Sequence, residues 1–365
     1  MRTAVATRRG FHPLPVSTVE PLTDDAVVVT FAVPPALREV FAFRPGQHLT
    51  LRTVLDGVEL RRSYSICSTP SLLADAGLLR IGVRSIPGGV FSTYCATGLR
   101  AGETVDVLPP LGRFTTDLDP GRRRHYGAVV AGSGITPVLS LVASALETEP
   151  ESRFTVVYGN RRSGTVMFAE ELGDLKDRYP QRLHLVHVLS REPVLSPLLS
   201  GRLEPSRLEA LFASGLVDVS TVDEWFLCGP YELVLGAQSV LSTLDVPPAS
   251  VHLELFHVES APPPPRPASE VVTTGTTVTI VLDGRESTFT MGPDERVLDA
   301  ALRVRSELPY ACKGGVCSTC RARVVEGQVT MAHNYALEPD EVAAGYVLTC
   351  QSSPASERLV VDYDG

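Results

Sequence analysis

Cys312-Lys313-Gly314-Gly315-Val316-Cys317-Ser318-Thr319-Cys320 is the stretch on which the reading of this chain turns. Its spacing is C-x4-C-x2-C, and Cys350 follows after 29 residues. Four thiolates spaced in this way can saturate the two irons of a [2Fe–2S] cluster. Gly314 and Gly315 keep side chains out of the loop, so backbone N–H groups can turn toward cluster sulfurs and tune their potential. A four-cysteine zinc site is the alternative. Such sites usually present two close pairs, whereas here three cysteines are bunched and one stands alone. A Rieske centre needs two histidines, and the bunched loop has none.

The chain has seven cysteines; Cys67, Cys95 and Cys228 are scattered upstream of the loop. An odd number in a chain of 365 residues, whose first ten carry three arginines and no apolar run, does not read as a secreted disulfide scaffold. The expectation is a cytoplasmic protein with no membrane span, and with Cys67 and Cys95 as small buried residues. Apolar residues make up 44% and charged residues 21%, an ordinary globular balance. The net charge of −9 disfavours nucleic acid as a partner, since phosphate binding needs a basic face. From Val271 onward eight basic residues face thirteen acidic ones, a balance of −5 that would steer a basic partner or simply keep the surface solvated.

Upstream of the loop, Ala261-Pro262-Pro263-Pro264-Pro265-Arg266-Pro267 reads as a semi-rigid spacer. It sets the boundaries 260–270 for a linker and 271–365 for the cysteine-bearing domain. That domain opens with strand-like runs at Thr277–Leu282 and Ser287–Met291 and a helix expected over Val297–Arg305. Residues 121–259 alternate strands with helices. Strands are expected at Tyr126–Val130, Phe154–Tyr158, Leu183–Leu189, Trp225–Leu227 and His252–Phe256. Helices are expected at Pro137–Leu146, Phe168–Arg178, Glu204–Phe212 and Tyr231–Leu244. Such alternation predicts an α/β domain with a parallel sheet. Residues 1–120 carry short strands punctuated by Pro-Gly, Asp-Gly and Ala-Gly pairs, among them Ala26–Phe31, His48–Arg52 and Leu78–Val83, as in a small antiparallel β-barrel.

Two of these segments carry binding chemistry. In the first, Arg62-Ser63-Tyr64-Ser65 offers an arginine for a pyrophosphate, a ring for an isoalloxazine and a hydroxyl for its N5. Gly88-Gly89-Val90-Phe91-Ser92 opens a helix whose free N–H groups suit an anion. An ordinary strand and a capped helix would read the same, taken singly. In the second, Gly132-Ser133-Gly134-Ile135-Thr136-Pro137 links a buried strand to a helix, the context of a dinucleotide loop, although G-x-G-x-x-P is not the usual fingerprint. Cys228-Gly229-Pro230 ends another strand at what should be the same carboxyl edge, where a glycine lets a nicotinamide ring approach. The acid that usually holds an NAD ribose is missing. Arg161 follows the second strand, and Ser190-Arg191 the third, which favours the 2′-phosphate of NADPH.

In this order the motifs of the first 258 residues resemble the ferredoxin–NADP reductase family, with Glu254-Leu255-Phe256 similar to its closing E-x-F element. The last segment resembles plant-type ferredoxin. The resemblance implies three domains: a FAD-binding antiparallel β-barrel, an NAD(P)-binding α/β parallel-sheet domain and an α+β β-grasp domain with a [2Fe–2S] cluster on Cys312, Cys317, Cys320 and Cys350. It also implies that Tyr64, Ser65, Cys228 and Glu254 line the reacting centre and that Phe256 borders the flavin. The whole chain is similar to the reductase subunits of bacterial phenylacetyl-CoA epoxidases, in Pro309–Cys317, Asn334–Glu341 and Ala343–Leu348. Reductases of 3-ketosteroid 9α-hydroxylases share the layout. The implied path runs from NADPH through FAD and the cluster to a di-iron oxygenase that epoxidises phenylacetyl-CoA. Service to a steroid hydroxylase or a ring-hydroxylating dioxygenase, and a non-enzymatic zinc-stabilised adaptor, are the alternatives.

Overall fold

The computed structural model describes residues 10–256, 275–292 and 295–365, and the chain divides into two compact units, Met1–His257 and Val258–Gly365. The expected spacer at 260–270 lies outside the described residues.

The first unit opens with β1 (His12–Thr23), β2 (Ala26–Ala32), β3 (His48–Leu55), β4 (Val58–Ser65), α1 (Pro70–Ala76), β5 (Leu78–Arg84), α2 (Val90–Thr97) and β6 (Thr104–Val107). The strands lie in the order β4-β3-β6-β1-β2-β5, all antiparallel. A bridge between Ile66, just past β4, and Ile81 on β5 joins the two outer strands and closes a barrel. Closure removes the sheet edges that would otherwise stay unpaired. Leu14, Val29, Phe31, Leu49, Leu51 and Val83 fill its interior.

The same unit continues with β7 (His125–Ala131), α3 (Ile135–Thr148), β8 (Arg153–Asn160), α4 (Ala169–Arg178), β9 (Leu183–Leu189), α5 (Pro205–Ala213), β10 (Glu224–Gly229), α6 (Tyr231–Thr243) and β11 (Val251–Leu255). These strands form one parallel sheet in the order β11-β10-β7-β8-β9. The order reverses beside β7, so the loops after β7 and β10 meet at the switch point where such sheets bind ligands.

Barrel and sheet share a core. Along β2, Val27, Val29 and Phe31 point into the barrel, while Ala26 and Val28 pack with Val138, Leu141 and Val142 of α3. Burial on both faces explains why this strand reads as a continuous apolar run and not an alternating one. Gly82 on β5 lets the two layers touch: a Cβ there would lie 2.7 Å from the Thr136 methyl and 2.9 Å from the Phe168 ring. Cys67 is buried in the shared core and Cys95 in the barrel, as expected.

The second unit contains β12 (Thr276–Leu282), β13 (Arg285–Met291), α7 (Val297–Ala301), β14 (Arg321–Glu326), β15 (Val329–Met331), α8 (Pro339–Ala343), β16 (Tyr346–Leu348), β17 (Ser352–Pro354) and β18 (Arg358–Asp362). Its main sheet runs β13-β12-β18-β14-β16, with β12 and β18 parallel at its centre and the other pairs antiparallel; β15 and β17 form a small second sheet. This is the expected β-grasp layout, and its core includes Val278, Ile280, Leu298, Leu348, Leu359 and Val361.

Three helices are shorter than the sequence suggests; α6 loses only its last expected residue, Leu244. The helix expected from Phe168 starts at Ala169, because Phe168 takes a left-handed φ of 59° as its ring tucks against Gly82. The helix expected over 297–305 ends at Ala301. Beyond it the N–H groups of Arg303 and Val304 reach back only three residues, to Ala300 and Ala301. Arg303 there pairs with Glu295, and Arg305 bonds to Ser287 Oγ and Leu282 O, which draws the chain onto the sheet.

Gly134 is the tightest point at the switch of the parallel sheet: a Cβ there would lie 2.3 Å from Cys228 O and 2.7 Å from its carbonyl carbon. Both are backbone atoms, so the strain cannot be relieved by a side-chain rotation. Gly134→Ala should lower stability by about 1–3 kcal/mol, read as a shift in urea midpoint. A variant as stable as wild type would show that the two loops separate freely.

Candidate functional site

β3 and β4 run antiparallel with His48 opposite Ser65 and Leu49 opposite Tyr64. On β4, Tyr64 is half-buried with its ring 5.9 Å from that of Phe91, and burial pushes its phenol above the usual range. Arg62 is exposed, and its Nη1 donates to Arg61 O at 2.7 Å. Gly88 adopts φ +74°, with open space where a Cβ would stand, and Gly89 precedes α2. The first N–H groups of α2, on Val90, Phe91 and Ser92, have no acceptor within their own helix. The Ser92 hydroxyl is engaged in the turn, accepting from Ile86 N and donating to Gly89 O, so what it can offer an anion is its backbone N–H.

On the parallel sheet, Cys228 of β10 and Glu254 of β11 are register partners. Cys228 Sγ lies 4.0 Å from Glu254 Oε2, the Ser65 hydroxyl bonds to the same carboxyl group, and His48 Nδ1 stands 3.9 Å from Glu254 Oε1. Barrel and sheet thus bring Ser65, Cys228 and Glu254 together, as the motif order implied, and add His48. The histidine follows Pro45-Gly46-Gln47, and only its register with Ser65 reveals it. Gly112, at φ +115°, leaves room for its ring: a Cβ there would lie 2.9 Å from Nδ1. His48 Nε2 is buried with no hydrogen-bond partner among the described residues. Burial raises the Glu254 carboxyl to about 8 and lowers the His48 imidazole to about 4. It also lifts the Cys228 thiol well above its ordinary value, with the nearby Glu254 charge adding to the effect. A carboxyl poised near neutrality beside a hydroxyl can hold or pass a proton. Phe256 packs, partly buried, against the core of the parallel sheet.

The loop after β7 turns at Gly132, φ +55°, whose carbonyl accepts from the Tyr158 hydroxyl at 2.9 Å. Thr136 and Pro137 are buried; the Thr136 hydroxyl donates to Ser133 O and its methyl faces Gly82. Their part is to set the loop. Gly229, at φ +147°, lies where a Cβ would be 3.3 Å from Ala131 N, so Cys228-Gly229-Pro230 and the glycine loop share one crevice. At the far side, the β8–β9 ladder continues past the strand ends: Ser190 N donates to Asn160 O and Arg191 N to Arg161 O. Arg161, Arg162 and Arg191 are all exposed there. Glu192, absent from the sequence reading, accepts from both Ser163 N and Ser163 Oγ.

In the second unit the cysteines gather as two pairs, Cys312 with Cys317 and Cys320 with Cys350. Among the described residues no three thiols, imidazoles or carboxylates converge on one mononuclear point. Two thiols for each of two metals is the donor set of a [2Fe–2S] cluster, and the residues fit it. The loop takes left-handed turns at Lys313, Gly315 and Ser318. Gly314 N points at Cys312 Sγ, 3.3 Å away, and Gly315 N bonds to Cys350. Donation from Cys317 and from the N–H groups of Val316, Gly314 and Cys317 lowers the Cys312 thiol to about 6. Supporting groups that carry no motif complete the loop. Gln351 Nε2 donates to Lys313 O, and Thr349 donates twice to Cys320 O, from its N–H and its hydroxyl.

Three family models match the chain: an oxidoreductase FAD-binding domain over residues 13–116, an oxidoreductase NAD-binding domain over 129–239 and a 2Fe-2S iron-sulfur cluster binding domain over 280–355. Fold and site thus define an NAD(P)H-dependent oxidoreductase that uses FAD and a [2Fe–2S] cluster. A component of the 1,2-phenylacetyl-CoA epoxidase of Escherichia coli is 47% identical over 97% of this chain and 98% of its own length. The ferredoxin reductase component of the 3-ketosteroid-9-alpha-monooxygenase of Rhodococcus rhodochrous is 35% identical over 96% of both. Phthalate dioxygenase reductase has the same fold, with a TM-score of 0.58 at 21% identity over 98% of this chain and all of its own. The chain belongs to the ferredoxin–NADP reductase family, in the branch with a C-terminal plant-type [2Fe–2S] ferredoxin domain, and is the reductase component of an oxygenase system. Among the described residues no helix is long and apolar enough to cross a membrane.

Glu254 predicts a pH signature in the flavin-free protein. The folded chain keeps the Glu254 proton until about pH 8, whereas an unfolded chain releases it near 4.5. The stability this confers relative to Glu254→Gln is complete below pH 4.5 and is lost as pH rises to about 8, by up to about 1.4 kcal/mol per unit. His48 has the opposite sign, with a folded value near 4 against 6.5, but it is common to both proteins and cancels in the difference. Denaturation of both proteins from pH 4 to 9 measures this difference; a constant one would mean that Glu254 is ionised throughout.

Proposed function

We propose that this protein draws hydride from NADPH and delivers single electrons, through its ferredoxin domain, to a cytoplasmic di-iron oxygenase that epoxidises phenylacetyl-CoA. The observation that carries this reading is the 47% identity to a phenylacetyl-CoA epoxidase component, spread over 97% of the chain and all three domains. When bound, FAD exchanges a hydride for single electrons and the cluster moves electrons singly.

The chain's own residues serve that exchange by position. Arg62 and the N–H groups of Val90, Phe91 and Ser92, with Gly88 and Gly89 keeping the approach open, hold the flavin diphosphate. Tyr64 stacks on the ring system and Phe256 borders it. Gly132, Gly134 and Gly229, with Thr136, Pro137 and Pro230 fixing the turns, shape the crevice for the nicotinamide dinucleotide. Cys228 walls the reacting face. Ser65 and Glu254 hold a proton beside it. Cys312, Cys317, Cys320 and Cys350 would hold the cluster.

NADPH is preferred because Arg161, Ser190 and Arg191 stand where an acid would hold a bare ribose. Arg191→Ala should raise KM for NADPH ten- to a hundred-fold, the effect of losing about 1.5–3 kcal/mol of charge-assisted contact, and leave NADH nearly unchanged. An equal change for both cofactors would remove Arg191 from phosphate recognition.

The acceptor is tested by NADPH- and O2-dependent epoxidation of phenylacetyl-CoA by the oxygenase subunits, with and without this protein. Added wild type should support turnover. Cys317→Ser should abolish it while ferricyanide reduction by the flavin domain continues. Brisk support of a 3-ketosteroid hydroxylase with no epoxidation would reassign the partner and leave the reductase chemistry in place.

A further inference from the structure

The carboxyl edge beyond β8 and β9 holds three arginines with unequal support. Arg161 and Arg191 are tied by the backbone bond from Arg191 N to Arg161 O. Neither guanidinium has a hydrogen-bond or ion-pair partner among the described residues. Arg162 sits one residue further out, at the start of an exposed turn whose own bonds are local, between Arg162 and Thr165. Like charges on neighbouring turns repel, and an exposed turn left to itself would splay away from Arg191. One side chain spans the gap. Glu192 Oε2 accepts from Ser163 N at 2.7 Å and from Ser163 Oγ at 2.9 Å, and Oε1 accepts from the same hydroxyl at 3.0 Å. These bonds, followed by the Arg162 charge, hold the Glu192 carboxyl below its usual range, so it is ionised at neutral pH.

We infer that Glu192 is a positioning residue for dinucleotide selection: by clasping Ser163 it locks the Arg161–Thr165 turn to the Ser190–Glu192 turn, so that three guanidiniums converge on one 2′-phosphate. The inference rests on the NADPH reading above and deepens it. Charge agrees with geometry. Three arginines and one glutamate leave two positive charges, which match the two negative charges a phosphate monoester approaches at neutral pH. A clamp held in shape before the ligand arrives loses less conformational freedom on binding. Glu192 itself need not touch the phosphate. The clasp also differs from an ordinary surface ion pair, whose worth is small, because one carboxylate engages two donors of a single residue, one of them in the backbone.

The test is calorimetric titration of the full-length holoprotein with 2′,5′-ADP and with 5′-AMP, which differ by the 2′-phosphate. Wild type should bind 2′,5′-ADP the more tightly. Glu192→Ala should weaken 2′,5′-ADP about tenfold, the equivalent of one lost hydrogen bond, and leave 5′-AMP within about twofold. Glu192→Gln, whose amide oxygen still accepts from Ser163 N, should keep most of the affinity. Ser163→Ala combined with Glu192→Ala should cost no more than Glu192→Ala alone, since both break one clasp. An equal loss for both ligands would make Glu192 merely structural and overturn the proposal. So would tighter binding of 2′,5′-ADP by Glu192→Ala, because the carboxylate would then be opposing the phosphate. If Glu192→Ala changes nothing while wild type still prefers 2′,5′-ADP, the clasp fails and the NADPH reading stands. If wild type does not distinguish the two ligands, both fail together.

Discussion

The close contact between the barrel and the parallel sheet is the constraint on which the first unit depends. It is made without large side chains at its critical points. Gly82 on the barrel admits Thr136 and Phe168 of the sheet half, and Ala26 and Val28 seal the outer face of β2 against α3. Close packing of this kind excludes water and tolerates little change in volume. It also sets the distance between β4, with its tyrosine and serine, and the ends of β10 and β11, with their cysteine and glutamate. Two halves that would otherwise be independent domains thereby form one site.

The electrostatics of that site follow from the same packing. Glu254 and His48 face each other in a place with little water, and each is pushed toward its neutral form, the carboxyl upward and the imidazole downward. Desolvation is the dominant cause for both, and the Ser65 bond to Glu254 only moderates it. The carboxyl edge beyond β8 and β9 works in the opposite way. There the arginines are exposed and permanently charged, and what the fold supplies is their relative placement. The second unit combines both effects: Cys320 and Cys350 are buried and Cys312 and Cys317 half-buried, while N–H groups from a loop with three left-handed residues point at Cys312 and Cys350 and favour thiolate at those two sulfurs.

Much of this was legible in the residues because the relevant signals are local. The cysteine spacing, the strand–glycine loop–helix order around Gly132 and the alternation of strands and helices each lie within a short window. Where local signals compete with packing, the sequence misled. The helical pattern through Arg305 ignores the pull of Glu295, Ser287 and Leu282 on two arginines. The helix expected from Phe168 ignores a ring that must fit beside Gly82.

The sequence by itself determined which chemistry the chain carries. Thiolates at fixed intervals, glycines where backbones must approach and arginines in place of an acid are properties of residue type and spacing, and these survive without a third dimension. Only the tertiary structure decided which groups share an environment. Glu254 lies 206 residues from His48 and 189 from Ser65, and no periodicity links them. Glu192 lies 29 residues from Ser163, on a different strand end. Such pairings arise from sheet register and layer packing, and the shifts in proton affinity follow from the burial those contacts create. A sequence states neither, because burial is a property of everything the chain folds against.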